Sequence, residues 1–225
     1  MLHRITLNTA DFSQTIKDAT VYACKKEPHE AMGHMVLTIV PRQKKLAVIA
    51  CDGQGYYERR IPLVISKGSP KPSLPGKDSR ILISCHDAAM LVKFMSAVTS
   101  GSVTLEADDS KITESKYTVR LILNEGASTT FFSRNDLNLP DYNAITIQAD
   151  KGKKACLTLS NILIPVREML RVSKVFPATA HKFARLFTAK SLSSGIMALL
   201  EYHEDDKDIR VIFMLNEDLP AAEAA

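Results

Sequence analysis

Two clusters in this chain carry residue types that could do chemistry. Cys85-His86-Asp87 sets a thiol beside an imidazole and a carboxylate, the parts of a nucleophile and its base. Their spacing works against that use. Residues at i and i+1 on a helix start point in different directions, which is poor geometry for a thiol and its base. Tyr202-His203-Glu204-Asp205-Asp206 gathers metal-ligand types. Lying between two strand-like runs and followed by Lys207, it reads better as the charged tip of a hairpin. No P-loop, no G-x-G-x-x-G and no H-E-x-x-H pattern occurs. The expectation is a non-catalytic protein with no cofactor and no metal.

Composition sets the remaining bounds. With 225 residues, 45% of them hydrophobic and 24% charged, the chain can bury a good core as one large or two small domains. Cys24, Cys51, Cys85 and Cys156 are scattered without a C-x-x-C pair, so buried free thiols are expected rather than disulfides or zinc. No apolar stretch approaches the ~20 residues that span a bilayer. Met1-Leu2-His3-Arg4-Ile5 lacks the apolar region of a signal peptide, and a cytoplasmic protein without a membrane partner is expected. The net charge is +4, from 29 basic and 25 acidic residues, so any binding to phosphate would depend on how the charge is distributed. Aromatic residues make up 6% of the chain and tryptophan is absent, which leaves little for base stacking.

The elements that would position a binding site are clearer. Residues 46–57 form an apolar run that ends in Cys51-Asp52-Gly53 and restarts at Tyr56. Asp-Gly between two strand-like segments is a strong hairpin signal, because glycine supplies positive φ without steric cost. Gly55 removes another side chain, which could open a surface groove.

The same strand–helix–strands unit is written three times. Unit one has a strand at Arg4-Ile5-Thr6-Leu7 and a helix from about Thr9 to Ala23, with Asn8 as N-cap and Phe12, Ile16, Ala19 and Ala23 on one face. Strands follow at His34–Val40, Lys45–Ala50 and Tyr56–Leu63. Unit two opens with Arg80-Ile81-Leu82-Ile83, about 76 residues after Arg4. Its helix spans 85–100, capped by Ser84, with Ala88, Leu91, Val92 and Met95 as the apolar stripe, and strands follow at Ser102–Ala107, Tyr117–Asn124 and Ser128–Ser133. Unit three opens at Lys154–Leu159. Helices are expected at Pro165–Phe176 and Thr179–Lys190, then strands at Gly195–His203 and Asp208–Leu215. A period near 75 residues suits a duplicated α+β module. The expected division is 1–148, made of halves 1–65 and 78–148, then a further half at 151–216 and a tail at 217–225.

Cys51-Asp52-Gly53-Gln54-Gly55-Tyr56, followed about ninety residues later by Asn138-Leu139-Pro140-Asp141-Tyr142, resembles the middle domain of the bacterial DNA polymerase III β sliding clamp family. Members typically carry a Thr-Asp-Gly-His-Arg-Leu-like turn and later a Phe-Pro-Asp-Tyr-like one. The resemblance implies an α+β fold of DNA-clamp-like half-domains, with antiparallel sheets outside and helices on one inner face. It covers 4–147 best, as one whole clamp domain, and 154–215 as half of another. A standard clamp chain has three full domains, so the expectation is a shortened member.

In this family, partner proteins insert short linear peptides into an apolar pocket beside the turn. The matching positions are Cys51, Gly53, Gln54, Gly55, Tyr56, Pro140, Tyr142, Ala144 and Ile145, with Met214 and Leu215 from the last strand. Gln54-Gly55 stands where the family has His-Arg, and Asn143-Ala144 where it has arginines, so the rim and its peptide preference differ. The plainer alternative is that Asp52-Gly53 is only a hairpin turn.

The resemblance also implies duplex DNA as a partner, bound through its backbone without base readout. The candidates are Lys17, Lys25, Lys26, Lys93, Arg167, Arg171 and Lys174. The last three recur at i, i+4 and i+7, a basic stripe opposite Val166, Met169, Leu170 and Val172. The alternative is a solvated helix face. Two functions follow: a clamp-like, homo-oligomeric processivity and tethering factor for replication or repair proteins, or a clamp-fold adaptor that binds peptides without encircling DNA.

Overall fold

The computed structural model describes residues 2–23, 30–66, 71–75, 79–98, 100–108, 115–124, 126–142, 144–147, 150, 166–176, 185–190, 196–204 and 207–215. Unit one contributes β1 (Leu2–Asn8), α1 (Thr9–Ala19), β2 (His34–Val40), β3 (Lys45–Cys51) and β4 (Gly55–Pro62). Unit two contributes β5 (Arg80–Ser84), α2 (Cys85–Met95), β6 (Ser102–Asp108), β7 (Lys116–Leu123) and β8 (Ser128–Arg134). From unit three come α3 (Val166–Val175), β9 (Arg185–Lys190), β10 (Ile196–Glu204) and β11 (Lys207–Leu215).

The duplication extends to single hydrogen bonds. Asn8 Oδ1 accepts from Asp11 N at 3.1 Å, and Ser84 Oγ accepts from Asp87 N at 3.0 Å, so both helices start on a side-chain cap with an acid in the first turn. At the other end, Thr20 Oγ donates to Lys17 O and Ser96 Oγ to Lys93 O, each at 2.7 Å. Both helices stop four or five residues short of the expected ends, at Ala19 and Met95. The residues that follow keep their apolar contacts without the helix: Tyr22 is fully buried and Val98 packs against the core.

The units exchange their first strands. One sheet runs β1-β6-β7-β8 and the other β5-β2-β3-β4-β11-β10-β9, all pairs antiparallel. The two sheets meet at corresponding seams. Val64 N donates to Thr6 O at 2.8 Å beside a Leu7–Leu63 bridge, while Leu82 N donates to Ser133 Oγ at 2.8 Å. β11 pairs with β4 from Asp208–Arg60 to Phe213–Gly55, so the third unit continues the sheet of the first.

Period-2 alternation along these strands separates two cores. Tyr57, Val211, Phe213 and Tyr202 point toward the helices, into a large cluster with Phe12, Ile16, Leu91 and Met95. Tyr56, Ile212, Met197 and Leu199 point to the opposite face. The helices therefore share one side of the seven-stranded sheet.

The expected second helix of unit three is corrected. Arg185–Lys190 is a strand, in register with β10 from Lys190–Ile196 to Arg185–Glu201. The hydrogen-bonding edge of β10 satisfies its backbone, which outweighs a helical reading of a short apolar run. The expected strand at Lys154–Leu159 lies outside the described residues, as does the whole of the tail. Among the described residues no helix is long and apolar enough to cross a membrane, and no group of acids, cysteines and histidines could hold a metal ion. Cys51 and Cys85 are free thiols.

Candidate functional site

The β3–β4 turn is built around Asp52. Its Oδ1 accepts from Gln54 N at 3.1 Å and Gly55 N at 2.8 Å, and Asp52 N donates to Gly55 O at 3.2 Å. Gly53 has φ +87°, which a side chain tolerates poorly. A Cβ there would also sit 3.4 Å from Met32 Sδ.

Gly55 has a different purpose from the one expected. A Cβ at this position would lie 3.0 Å from Tyr22 Cδ1 and 3.1 Å from Arg171 Nη1. The space left by the missing side chain is filled by the chain itself and is no open groove. Arg171 is 6% exposed. It donates to Val21 O through Nε (3.2 Å) and Nη2 (2.9 Å), to Glu168 Oε1 through Nη1 (3.0 Å) and to Asp52 Oδ2 through Nη2 (2.8 Å). Its guanidinium also lies 4.2 Å from the ring centre of Tyr22, which stacks on Tyr57 at 5.7 Å. Burial works against the charge on Arg171, but Asp52 and Glu168 outweigh it and hold its pKa above the usual value.

This arrangement inverts α3. Val166, Met169 and Leu170 are 74%, 52% and 59% exposed, while Glu168, Arg171 and Val175 are buried. The expected stripe of Arg167, Arg171 and Lys174 is thereby broken, because Arg171 serves as an internal anchor. Arg167 remains exposed, donating to Gln54 Oε1 at 2.9 Å, and Lys174 is exposed. Lys17 and Lys93 are exposed at matching places in the last turns of α1 and α2. Lys25 and Lys26 lie outside the described residues. The i, i+3 pair Glu168–Arg171 was the one sequence signal for this anchor, and nothing in the sequence pointed to Tyr22 or Asp52 as its partners.

On the opposite face of the sheet the other expected residues do converge. Cys51 and Tyr56 are buried in an apolar cluster with Val36, Ile49, Leu82, Met197, Leu199 and Ile212. Leu137, Leu139, Tyr142 and Ile145 lie over it. Tyr56 and Tyr142 are 6.1 Å apart with tilted rings. Asp141 Oδ1 accepts from Ala144 N at 3.0 Å and fixes the turn that follows Pro140. Burial raises the pKa of Cys51, so its thiol is no activated nucleophile. The Tyr56 hydroxyl donates to Glu58 Oε2 at 2.8 Å, and burial raises its pKa well above the usual value. Met214 and Leu215 are placed by backbone alone, opposite Met197 and Ile196 on β10. Gly53, Gln54 and Gly55 thus serve the helix side of the turn, and Cys51, Tyr56, Tyr142 and Ile145 the apolar platform, whose outer members Leu137, Leu139, Met197 and Leu199 the motif match did not include.

The platform spans the β4–β11 junction, where two units share one sheet. The overall fold recurs in solved structures. The Pseudomonas aeruginosa DNA polymerase sliding clamp with ligand matches over 96% of this chain and 66% of its own, at TM-score 0.62 and 14% identity. The fold is that of the DNA sliding clamps. A putative DNA polymerase III β subunit from Eubacterium rectale covers 97% of this chain at TM-score 0.62 and 11% identity. The Helicobacter pylori β clamp bound to a DNA ligase peptide covers 97% at TM-score 0.57 and 11% identity. The chain spans 66% of the length of the first two of these clamps and 68% of the third. No protein-family model matches the sequence, and no curated protein matches it.

Proposed function

We propose that this clamp-fold chain is a non-catalytic sliding-clamp-like tether for DNA replication or repair. The observation that carries the reading is the apolar platform at the β4–β11 junction, in a fold that overlays clamps over nearly its whole length. One of the neighbours holds a DNA ligase peptide, which supports short peptides of partner proteins as ligands. Aliphatic or aromatic anchors would pack beside Tyr142 and Ile145, each contributing roughly 1.5–3 kcal/mol on burial. Lys17, Lys93 and Lys174, each in the last turn of its helix, would meet duplex phosphates without reading bases. Encircling DNA requires a closed homo-oligomer. The outer edge of β8 is the counterpart of the β4 edge that β11 occupies, and among the described residues no strand pairs with it. A strand edge of this kind supports assembly through a second copy.

A second reading is favoured by α3, which offers Val166, Met169 and Leu170 where a basic stripe would serve DNA. On that reading the chain is a clamp-fold adaptor that binds peptides and no DNA. Titration of a labelled clamp-binding peptide and a labelled duplex against wild type, Ile145→Ala/Met214→Ala and Lys17→Glu/Lys93→Glu/Lys174→Glu separates the two. The tether predicts peptide loss in the first variant, DNA loss in the second, and a salt slope that shallows by about 0.9 per phosphate contact removed. DNA binding absent from wild type leaves the adaptor. Equal peptide affinity in wild type and Ile145→Ala/Met214→Ala removes the platform assignment.

A further inference from the structure

We propose a second docking site, at the opposite end of the β3–β4 hairpin from Asp52–Gly53, for an acidic linear peptide with branched aliphatic anchors. Lys45 pairs with Pro62 at this end and Cys51 with Tyr56 at the other, so the two sites are separated by about six residues of strand, roughly 20 Å. A groove of about 510 Å³ lies here, within the range of specific ligand sites. Ile39, Pro41, Leu63, Ile65, Pro72 and Leu74 form its apolar walls. A hydrogen bond of 3.0 Å between His3 Nδ1 and Ser73 Oγ ties one wall to β1.

Two observations choose the occupant. The charged residues among the described lining are Lys44 and Lys71, both exposed and both cationic, with no carboxylate to offset them. A ligand must therefore combine apolar anchors with negative charge, and a peptide supplies both along one extended strand. Lys44 (φ +53°) and Ser79 (φ +48°), the non-glycine residues with positive φ among the described residues, both line this groove. Such conformations concentrate at ligand clamps and switch regions. The walls leave Ile65 half exposed, next to the equally exposed Val64, so an apolar surface is already presented to a partner. The groove shares no residue with the platform, and its occupation is compatible with a peptide bound there.

The test uses a fluorescein-labelled Glu-Glu-Leu-Leu-Glu peptide, a Lys-Lys-Leu-Leu-Lys control, and the full chain as wild type, Lys44→Gly, Lys71→Glu, Ile65→Asp and Ile145→Ala. Glycine keeps the positive φ of residue 44 while removing the charge. The expected result is saturable binding of the acidic peptide. It should weaken about tenfold in Lys44→Gly and in Lys71→Glu, the size of one lost charge-assisted contact. It should weaken further in Ile65→Asp and stay unchanged in Ile145→Ala. No saturable binding, equal affinity for the basic control, or a loss confined to Ile145→Ala overturns the proposal. Should Lys44→Gly melt early, Lys71→Glu and Ile65→Asp, both at exposed positions, decide it.

Discussion

The helices α1 and α2 dock on the sheet mainly through apolar side chains; α3 adds a buried Arg171–Glu168 ion pair to the apolar contacts of Val172, Val175 and Phe176. In α1, Phe12, Ile16 and Ala19 are buried, and in α2, Ala88, Leu91 and Met95. In α3, Glu168 and Arg171 are buried and the apolar residues Met169 and Leu170 face out. Amphipathic spacing establishes that a helix has two faces. Which face turns inward depends on what waits beneath it. Under α3 wait the Asp52 carboxylate, the Val21 carbonyl and the Tyr22 ring, which together offset the desolvation of a guanidinium.

The largest expected effect breaks this comparison directly. Arg171→Ala leaves Glu168 buried without its cation and Asp52 with only the exposed Arg167, 3.6 Å away, and should cost about 3–5 kcal/mol in urea unfolding. Leu170→Ala, on the exposed face, should stay within about 0.5 kcal/mol. Ile16→Ala, its counterpart in apolar docking on α1, should cost about 2–5 kcal/mol. A Leu170 effect as large as that of Ile16 would mean that the outer face of α3 is covered in solution, and this orientation of the helix would fail.

Buried charge is also handled differently in the two regions. Asp18 on α1 is buried, accepting from Gln14 Nε2 at 2.6 Å and Arg59 Nη1 at 3.3 Å. Burial nonetheless dominates and pushes its pKa up to about 6, whereas the raised pKa of Arg171 means that its charge is favoured. For an acid whose folded pKa lies above its unfolded value, the folded state binds more protons between the two. The stability contributed by Asp18 is therefore present below about pH 4 and is lost as pH rises through about 6. Asp208, whose pKa is lowered, acts in the opposite direction and only at more acid pH. Wild type measured against Asp18→Asn should gain on the order of 2 kcal/mol between pH 7 and pH 4. A flat difference would show that Arg59 compensates Asp18 fully.

The repeated units, the Asp-Gly turn and most strands were legible because each rests on local signals: alternation, caps and turn chemistry. The platform was legible in part, since Cys51, Tyr56, Tyr142 and Ile145 fall on one face by strand parity and turn geometry. The orientation of α3 and the purpose of Gly55 were not. Both depend on Arg171 meeting Asp52, 119 residues away, and no periodicity encodes such a contact. The strand Arg185–Lys190 was missed because its backbone partner, β10, decides between helix and strand for so short a run.

The smallest expected effect sharpens the comparison within the duplicated pair. Asn8 and Ser84 occupy the same place in units one and two, and each accepts one hydrogen bond from the backbone of an aspartate three residues on. Asn8→Ala and Ser84→Ala should each cost about 1 kcal/mol, and the double variant their sum within about 0.5 kcal/mol. Ser84 has a further interaction, a 2.7 Å bond from its Oγ to Asp87 Oδ2. Ser84→Ala should therefore be the costlier of the two, by a few tenths of a kcal/mol. Equal costs would show that the bond to Asp87 only exchanges one hydrated contact for another, and a larger cost at Asn8 would show that the two caps are not equivalent despite their matching geometry.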